Sequence, residues 1–369
     1  MWHSKNSKFP IGLDISDLSL KFVQLNKNGD KINIQAFSKY NLTPGIIDNG
    51  DIKNPQEVIK AINYLMANPI FGKVTAKEIV ACLPNSKTYI KSIAIDKTPN
   101  DLENIIEEEI EKHIPVSINN IYYDWQTTNN IKNKLRVLIG AGNKNIVEQY
   151  TNLFNEAKLS LVALELEPVC LCRALLREEH YKFTDKFDKN YCLIDFGATR
   201  TNMTVYSKNT ILFTISMPIS GEKITENIAT TLKIEKKQAE KAKLICGFDS
   251  NSAEGIIKNI LTDVVNKLIL KIHQTIAFYQ AEYSDNGPIN KIILCGGGAY
   301  IKEFDEIIAE STSIETVRGD SFINFNIPSQ KESSSNKIFS NGLSKLLNEN
   351  LSYTTAIGLA LREIFINDI

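Results

Sequence analysis

Hydrophobic and polar positions first recur with a period of two, and only later with a period near 3.6. Ile11–Ile15 and Leu20–Leu25 are short apolar runs, and Ile32, Ile34 and Ala36 alternate with polar neighbours, as in half-buried strands. Asn28-Gly29 separates the second and third runs, a strong hairpin signal because such turns require positive φ. Val58, Ile59, Ile62, Leu65 and Met66 share one face of a helix over Gln56–Asn68, and Glu78–Pro84 predicts another buried strand.

From about Thr88 to Leu159 the pattern changes. A strand at Tyr89–Ile95 precedes a helix opened by Thr98 as N-cap and Pro99 in the first turn. Leu102, Ile105, Ile106, Ile110 and Ile114 form its apolar stripe, and Pro115 ends it. Strands at Ile121–Gln126 and Leu135–Ala141 and a helix over Asn145–Lys158 complete a βαββα unit, which reads as a compact α+β insertion.

At Tyr191 the opening pattern returns. Tyr191–Asp195, Thr201–Tyr206 and Ile211–Ser216 are strand-like, with a turn at Lys208-Asn209. Gly29 lies 15 residues after Asp14, and Asn209 lies 14 after Asp195. Two Asp-tipped meanders about 180 residues apart predict a duplicated domain. Helices follow at Gly221–Lys233, Glu235–Cys246 and Ala253–Tyr283, then a strand at Ile292–Leu294 and a helix ending near Glu310. Residues 320–350, rich in Asn and Ser and including Ser333-Ser334-Ser335, predict a long loop before a helix over Tyr353–Ile366.

Composition narrows the function. With 369 residues, 43% hydrophobic and 23% charged, the chain suits two ordinary globular domains. A net charge of −1 gives no footprint for nucleic acid or an anionic membrane. Six cysteines without a CxxC pair read as reduced, buried thiols, and four scattered histidines offer no metal site. The polar start, Met1–Lys8, lacks a signal peptide's apolar stretch. No apolar run approaches the ~18 residues that span a bilayer. The expectation is a cytoplasmic chain that reaches any membrane only through a partner.

Three loops carry candidate phosphate chemistry. The first holds Asp14, Ser16, Asp17, Leu18, Ser19 and Lys21: a tight turn with outward amides and hydroxyls, a cation, and an acid able to hold a metal-bound water. The second holds Asp195, Gly197, Ala198, Thr199, Arg200 and Thr201, where glycine lets the backbone approach phosphate closely. The third is Gly296-Gly297-Gly298-Ala299 between strand and helix. Glu240 and Lys243 fall on one helix face, as a solvated ion pair or a contact to ribose and base. Glu107, Glu108, Glu109 and Glu111 read as a solvated face, and Tyr122, Tyr123 and Trp125 as packing residues.

The order of these elements, with Ser220-Gly221 and Thr225 between the second and third, resembles the actin-like ATPase superfamily. Gly12–Ile15 with Lys21, Glu111–Pro115, Leu166-Glu167-Pro168, Asp195–Ala198 and Ala356–Arg362 resemble, more closely, the PilM family of type IV pilus assembly. The resemblance implies an α/β, duplicated actin-like (RNase H-like) fold of two lobes around a nucleotide cleft. It implies a first lobe over 8–87, an inserted SHS2-like subdomain over 88–159 shared with FtsA, and a return to the first lobe over 160–190. A second lobe over 191–352 would carry a helical part at 222–285, and a last helix at 353–369 would rejoin the first lobe. ATP and Mg2+ would be held by the three loops with Gly221, Thr225, Glu240 and Lys243, the metal through water on Asp14 and Asp195. The implied partner is the cytoplasmic N-terminal tail of a single-span, PilN-like membrane protein, gripped between first lobe and insertion, with nucleotide state biasing its affinity; a homo-oligomer is also compatible. Ser16 stands where the family has glycine, and Asp17 adds negative charge, so hydrolysis is expected to be slow or absent, with Asp14 and Asp195 as the hydrolytic acids otherwise. The rival readings are an FtsA-like division protein and a metabolic kinase of the same superfold.

Overall fold

A computed structural model describes residues 9–96, 102–114, 116–128, 134–177, 189–325 and 341–366. Thr98, Pro99, Pro115 and Ser333–Ser335 lie outside them. The chain forms two units, Met1–Thr184 with Asp320–Ile369, and Asp185–Gly319.

The first unit opens with an antiparallel meander, β1 (Ile11–Ser16), β2 (Ser19–Asn28) and β3 (Lys31–Asn41). Asn28 pairs with Lys31, so the hairpin turns on Gly29-Asp30 rather than Asn28-Gly29. Gly29 alone takes positive φ there, at 60°, as fits a turn needing glycine only at its first central position. A short hairpin, β4 (Ile47–Asp48) and β5 (Asp51–Ile52), leads to α1 (Pro55–Ala67). Asn54 caps α1 by accepting from the Glu57 amide, Pro55 occupies the first turn, and Val58, Ala61, Ile62 and Leu65 are buried. After β6 (Phe71–Gly72) comes β7 (Glu78–Leu83), parallel to β1.

The inserted part follows as β8 (Thr88–Asp96), α2 (Leu102–His113), β9 (Ile121–Thr127), β10 (Lys134–Asn143) and α3 (Lys144–Glu156). β8, β10 and β9 pair antiparallel in that order, and their apolar face closes on Ile106, Ile110 and Ile114. The last helix departs from expectation. Ile146, Tyr150, Leu153 and Phe154 of α3 are buried in one core with Ile11, Leu13, Val58 and Ile62, so α3 completes the first lobe rather than the insertion.

The chain returns as β11 (Ser160–Leu166), parallel to β7, and α4 (Glu167–Leu175). The sheet order is β11-β7-β1-β2-β3-β6.

In the second unit, β12 (Tyr191–Phe196), β13 (Thr201–Ser207) and β14 (Thr210–Met217) repeat the meander. Then come α5 (Gly221–Leu232), α6 (Lys236–Cys246), the long α7 (Ile256–Glu282), β15 (Lys291–Cys295), α8 (Phe304–Thr312) and β16 (Glu315–Arg318). Its strands stand in the order β16-β15-β12-β13-β14. β15 runs parallel to β12 and β16 parallel to β15, matching β7 and β11 beside β1. The duplication therefore extends from the meanders to five strands of each sheet.

The terminal segment is α9 (Asn341–Asn348), α10 (Thr354–Ala360) and α11 (Arg362–Ile366). Residues 320–350 are not one loop of the second lobe. Their described parts belong to the first unit, where Phe322, Phe325 and Leu346 join Val23, Phe37 and Tyr353 in a core. Apolar burial outweighs the polar composition there. On this side α10 lies directly on β1 and α4: a Cβ on Gly12 would sit 2.2 Å from the Ala356 carbonyl oxygen, and one on Gly358 2.0 Å from that of Cys170.

All six cysteines are free, and only Cys246 is not fully buried. Burial raises the Cys192 thiol to about 12 and holds the Cys170 thiol above its usual range.

Candidate functional site

Parallel pairing of β12 with β15 sets Asp195 opposite Cys295, so the Asp tip and the Gly296 loop leave the sheet side by side. Gly296 has φ +78°, and a Cβ there would lie 2.3 Å from Asp195 Oδ1 and 2.7 Å from the Phe196 carbonyl oxygen. A Cβ on Gly298 would strike the Phe196 ring at 2.4 Å, and Ala299 is fully buried. Gly297 differs: a Cβ there meets nothing within 4 Å. Gly296, Gly298 and Ala299 thus pack the loop against Asp195-Phe196, while Gly297 presents bare backbone to open space.

The turn after Asp195 is stitched to the start of α5. Gly197 N–H donates to Arg200 O at 3.0 Å, Gly221 N–H to Gly197 O at 3.1 Å, and Glu222 N–H to Ala198 O at 2.9 Å. Ser220 caps α5 by accepting from the Lys223 amide at 3.1 Å. The exposed part of the turn is Ala198, with Thr199 half-buried beside it. Arg200 Nε donates to Ser216 Oγ at 2.9 Å. Thr201, expected at the ligand, is fully buried and donates its hydroxyl to Ile219 O at 2.7 Å. Its role is to fix the end of β13.

Glu240, Lys243, Gly221 and Thr225 do come together. Lys243, 3% exposed, donates to Gly221 O at 3.0 Å, Thr225 Oγ1 at 3.0 Å and Glu240 Oε2 at 2.7 Å. All three ammonium protons have acceptors. The Thr225 hydroxyl also contacts Glu240 Oε2. Lys243 is therefore a buried clasp between α5 and α6 and not a cation held out to a ligand. Glu240, with its side chain 47% exposed, is the member of the cluster facing solvent.

The first unit's Asp turn is more closed. Asp14 and Lys21 face each other across β1 and β2 and pair at 2.9 Å, with side chains 9% and 11% exposed. Ser16 Oγ donates to Ser19 O at 2.9 Å and lies 3.1 Å from Ser19 Oγ. Asp17 Oδ1 accepts from Gly50 N–H at 2.9 Å, and Leu18 O from Leu42 N–H at 2.9 Å. The cation expected to serve a phosphate is engaged with Asp14, and the Asp17 carboxylate is directed at the β4–β5 hairpin.

A second feature of the first unit is a groove of about 450 Å³ between β9–β10 and β11–α4. Leu83, Ile90, Leu138, Val147, Leu164, Leu166 and Val169 give it apolar walls, and Tyr122 and Trp125 an aromatic one. Tyr122 is 49% exposed, so the sequence reading of this residue as packing is incomplete. At one end lie Glu165 and Arg362. Arg173 grips both Glu165 oxygens at 2.8 Å and the Gly358 carbonyl at 2.8 Å, and Arg362 Nε reaches Glu165 Oε1 at 3.1 Å. β11 is a sheet edge and β9 ends its own row of strands. An extended peptide needs such edges, with pockets for alternate side chains. Tyr122, Trp125, Leu166 and Arg362 carry readings from the sequence, but none of them as a groove residue. The one available signal was Glu165, an isolated acid in an apolar strand.

The duplicated sheets and the loops at their strand ends define a protein of the actin-like ATPase fold. Structural similarity agrees: MreB5 of Spiroplasma citri bound to AMPPNP matches at TM-score 0.57 and 12% identity, covering 98% of each chain. The ethanolamine utilization protein EutJ of Carboxydothermus hydrogenoformans matches at 0.55 and 15%, over 96% of this chain and 90% of that one. A chain of a PilM–PilN type IV pilus biogenesis complex matches at 0.77 and 18%, over 96% and 98%. The family model for type IV pilus assembly protein PilM covers residues 12–364, and this chain belongs to that family. Among curated relatives, the cell division protein FtsA of Buchnera aphidicola is 24% identical over 306 residues, 70% of this chain and 71% of that protein. FtsA of Neisseria meningitidis serogroup B is 26% identical over 253 residues, 62% and 59%.

Proposed function

We propose that the chain is an ATP–Mg-binding scaffold of type IV pilus assembly that docks the N-terminal cytoplasmic tail of a PilN-type membrane protein. The observation that carries this reading is the groove between β9–β10 and β11, apolar in its walls and bordered by two strand edges. The similar structure in which PilM and PilN form a complex supplies the class of partner. Among the described residues no helix is long and apolar enough to cross a membrane. The proposed location is the cytoplasmic face of the inner membrane, reached through that partner.

Titration calorimetry with a synthetic peptide of the N-terminal residues of the same organism's PilN-type protein tests the docking. Leu164→Arg should abolish binding and Tyr122→Ala should weaken it. Unchanged affinity in both would move the site elsewhere. Deleting residues 88–159 is not a clean test, because α3 forms part of the first lobe's core.

For the nucleotide, the supporting features are the Asp195–Gly296 juxtaposition, the open face of Gly297 and the solvent-facing Glu240 carboxylate, which suits ribose hydroxyls. MreB5 bound to AMPPNP shares the fold. These residues fit an adenosine phosphate; Mg2+ would supply phosphate neutralisation, and Asp195 would hold its water. Gly297→Trp should fold normally, since the site is open, and lose the thermal shift that millimolar ATP–Mg gives the parent protein. No shift in the parent counts against the site. Turnover is expected below about one per second, the low end of ordinary enzymes.

An FtsA-like division role is the second reading, favoured by the two FtsA relatives. A deletion strain that keeps its pili but forms undivided filaments would establish it.

A further inference from the structure

The groove walls are apolar, but one end is charged. Glu165 on β11 and Arg362 at the start of α11 line it, backed by Arg173 on α4 and by Glu363. These side chains are 10% to 26% exposed and carry two charges of each sign, so the cluster is neutral. Its hydrogen bonds are unevenly shared. Glu165 Oε2 accepts from Arg173 Nη1 at 2.8 Å, and Oε1 from Arg173 Nη2 at 2.8 Å and from Arg362 Nε at 3.1 Å. Arg173 alone therefore neutralises Glu165. Arg362 gives Nε to Glu165 and Nη1 to Glu363, and its Nη2 has no acceptor among the described residues. It is the most exposed of the four and the only cation in the groove lining.

The Arg362 guanidinium is also held still. Gly358 packs so closely on α4 that a Cβ there would lie 2.0 Å from Cys170 O. Arg173 Nη1 donates to Gly358 O at 2.8 Å, and Leu361, next to Arg362, is fully buried. Because a guanidinium is planar, two bonds already made fix the direction of the remaining donor. A donor fixed before binding loses little freedom when a ligand arrives.

We propose that Arg362 forms a hydrogen-bond subsite at this end of the groove, taking a neutral carbonyl oxygen of the docked tail and rejecting a carboxylate. Resting on the docking proposed above, this subsite adds the chemistry by which the tail is read. The carbonyl comes from the tail's main chain or from an Asn or Gln side chain. Charge decides against the other acceptors and donors. The positive charge of Arg362 is already matched by Glu165 and Glu363, and Asp124 adds a further acid to the lining. A tail carboxylate would enter among these acids, and a tail ammonium would meet Arg362 and Arg173. Either leaves an unbalanced charge in a half-buried place. A neutral carbonyl accepts from Nη2 and changes no charge. Glu165 is then a positioning residue, which acts by orienting Arg362 through Nε.

The test is calorimetry on the full chain with the synthetic tail peptide and its alanine and aspartate scans. Arg362→Met should weaken the parent peptide about tenfold, as for one hydrogen bond to a charged group. Arg362→Lys should weaken it about threefold or more, because an ammonium lacks the planar fork. At one position of the scan, aspartate should bind about tenfold worse than alanine, from its placement among like charges. Glu363→Gln removes one of those charges and should shrink that penalty at that position alone, which a merely supporting Arg362 would not produce. An Asn or Gln whose replacement by alanine weakens binding to the parent but not to Arg362→Met identifies a side-chain carboxamide. The absence of any such position identifies a main-chain carbonyl. If Arg362→Met fails to fold, Arg362→Lys carries the same comparison. An Arg362→Met variant within about twofold of the parent, or an aspartate penalty that Glu363→Gln relieves nowhere, overturns the subsite and leaves the docking standing. A parent that binds no peptide overturns the docking, and the subsite with it.

Discussion

The two Asp-tipped meanders descend through the same strand order yet end in different turns. In the first, Ser16 pairs with Ser19, leaving two turn residues closed by the serine hydroxyls and by Asp17 on Gly50. In the second, Phe196 pairs with Thr201, leaving four residues, among them Gly197. The partner across from the acid differs as well. Asp14 faces Lys21 in a buried ion pair, whereas Asp195 faces Asn202 and lies against the glycine loop after β15. The first copy is neutralised and tied to its own unit; the second keeps a wider turn and an adjoining stretch of bare backbone. Duplication preserved the scaffold, and the turns diverged, one closed onto Gly50 of its own unit and the other wide beside bare backbone.

The sharpest way to break the comparison is to remove the charge balance of the first copy. Lys21→Met leaves Asp14 buried without its partner, and should cost about 3–5 kcal/mol in urea unfolding. Lys21→Met combined with Asp14→Asn should recover much of that loss. A single variant within about 0.5 kcal/mol of the parent, the range of ordinary surface substitutions, would show that Lys21 does not neutralise Asp14.

In the second copy the corresponding strain lies in the backbone. Gly296→Ala forces a Cβ to within 2.3 Å of Asp195 Oδ1 at a φ of +78°. A loss of about 3 kcal/mol is expected, from overpacking and unfavourable φ together. The neighbouring Gly297→Ala should be nearly neutral, because its Cβ meets nothing within 4 Å. Equal losses at the two positions would contradict the described packing of the loop.

Lys243→Met should cost less, about 1–3 kcal/mol, even though three hydrogen bonds are lost. The difference from Lys21 lies in what is left behind. Glu240 is 47% exposed and can be rehydrated, while Asp14 cannot. Thermal melts of both variants should place Lys243→Met nearer the parent, and the reverse order would mean that the clasp between α5 and α6 carries more of the fold than the Asp14 pair.

How much of this was legible depended on the kind of pattern. The meanders could be read because strand periodicity and an acid at each tip repeat in register. The Asp14–Lys21 pair was also within reach: a turn on Asp17-Leu18 sets those residues opposite each other, yet the sequence reading gives Lys21 to a phosphate. The placement of α3 was not readable. The spacing of Ile146, Tyr150, Leu153 and Phe154 shows that one face is buried but not which core receives it. The same limit applies to Phe322, Phe325 and Leu346, whose partners are distant in sequence and surrounded by polar residues. Lys243 was legible as the companion of Glu240. Its two further acceptors, Gly221 O and Thr225 Oγ1, exist only once α5 and α6 have packed.

The smallest effect expected is also the one that separates the two turns most directly. Ser16→Gly gives the first turn a glycine, and removes the hydroxyl bond to Ser19 O at 2.9 Å. The stability cost should be about 1 kcal/mol, from one half-buried hydrogen bond and added chain freedom. If the wider second turn and the glycine loop hold the phosphates, ATP–Mg affinity should stay within about twofold, less than half a kcal/mol. A tenfold tightening would mean instead that closure by Ser16 and Ser19 limits binding. The first turn would then be a suppressed phosphate loop, and its attachment to Gly50 would serve to keep it shut.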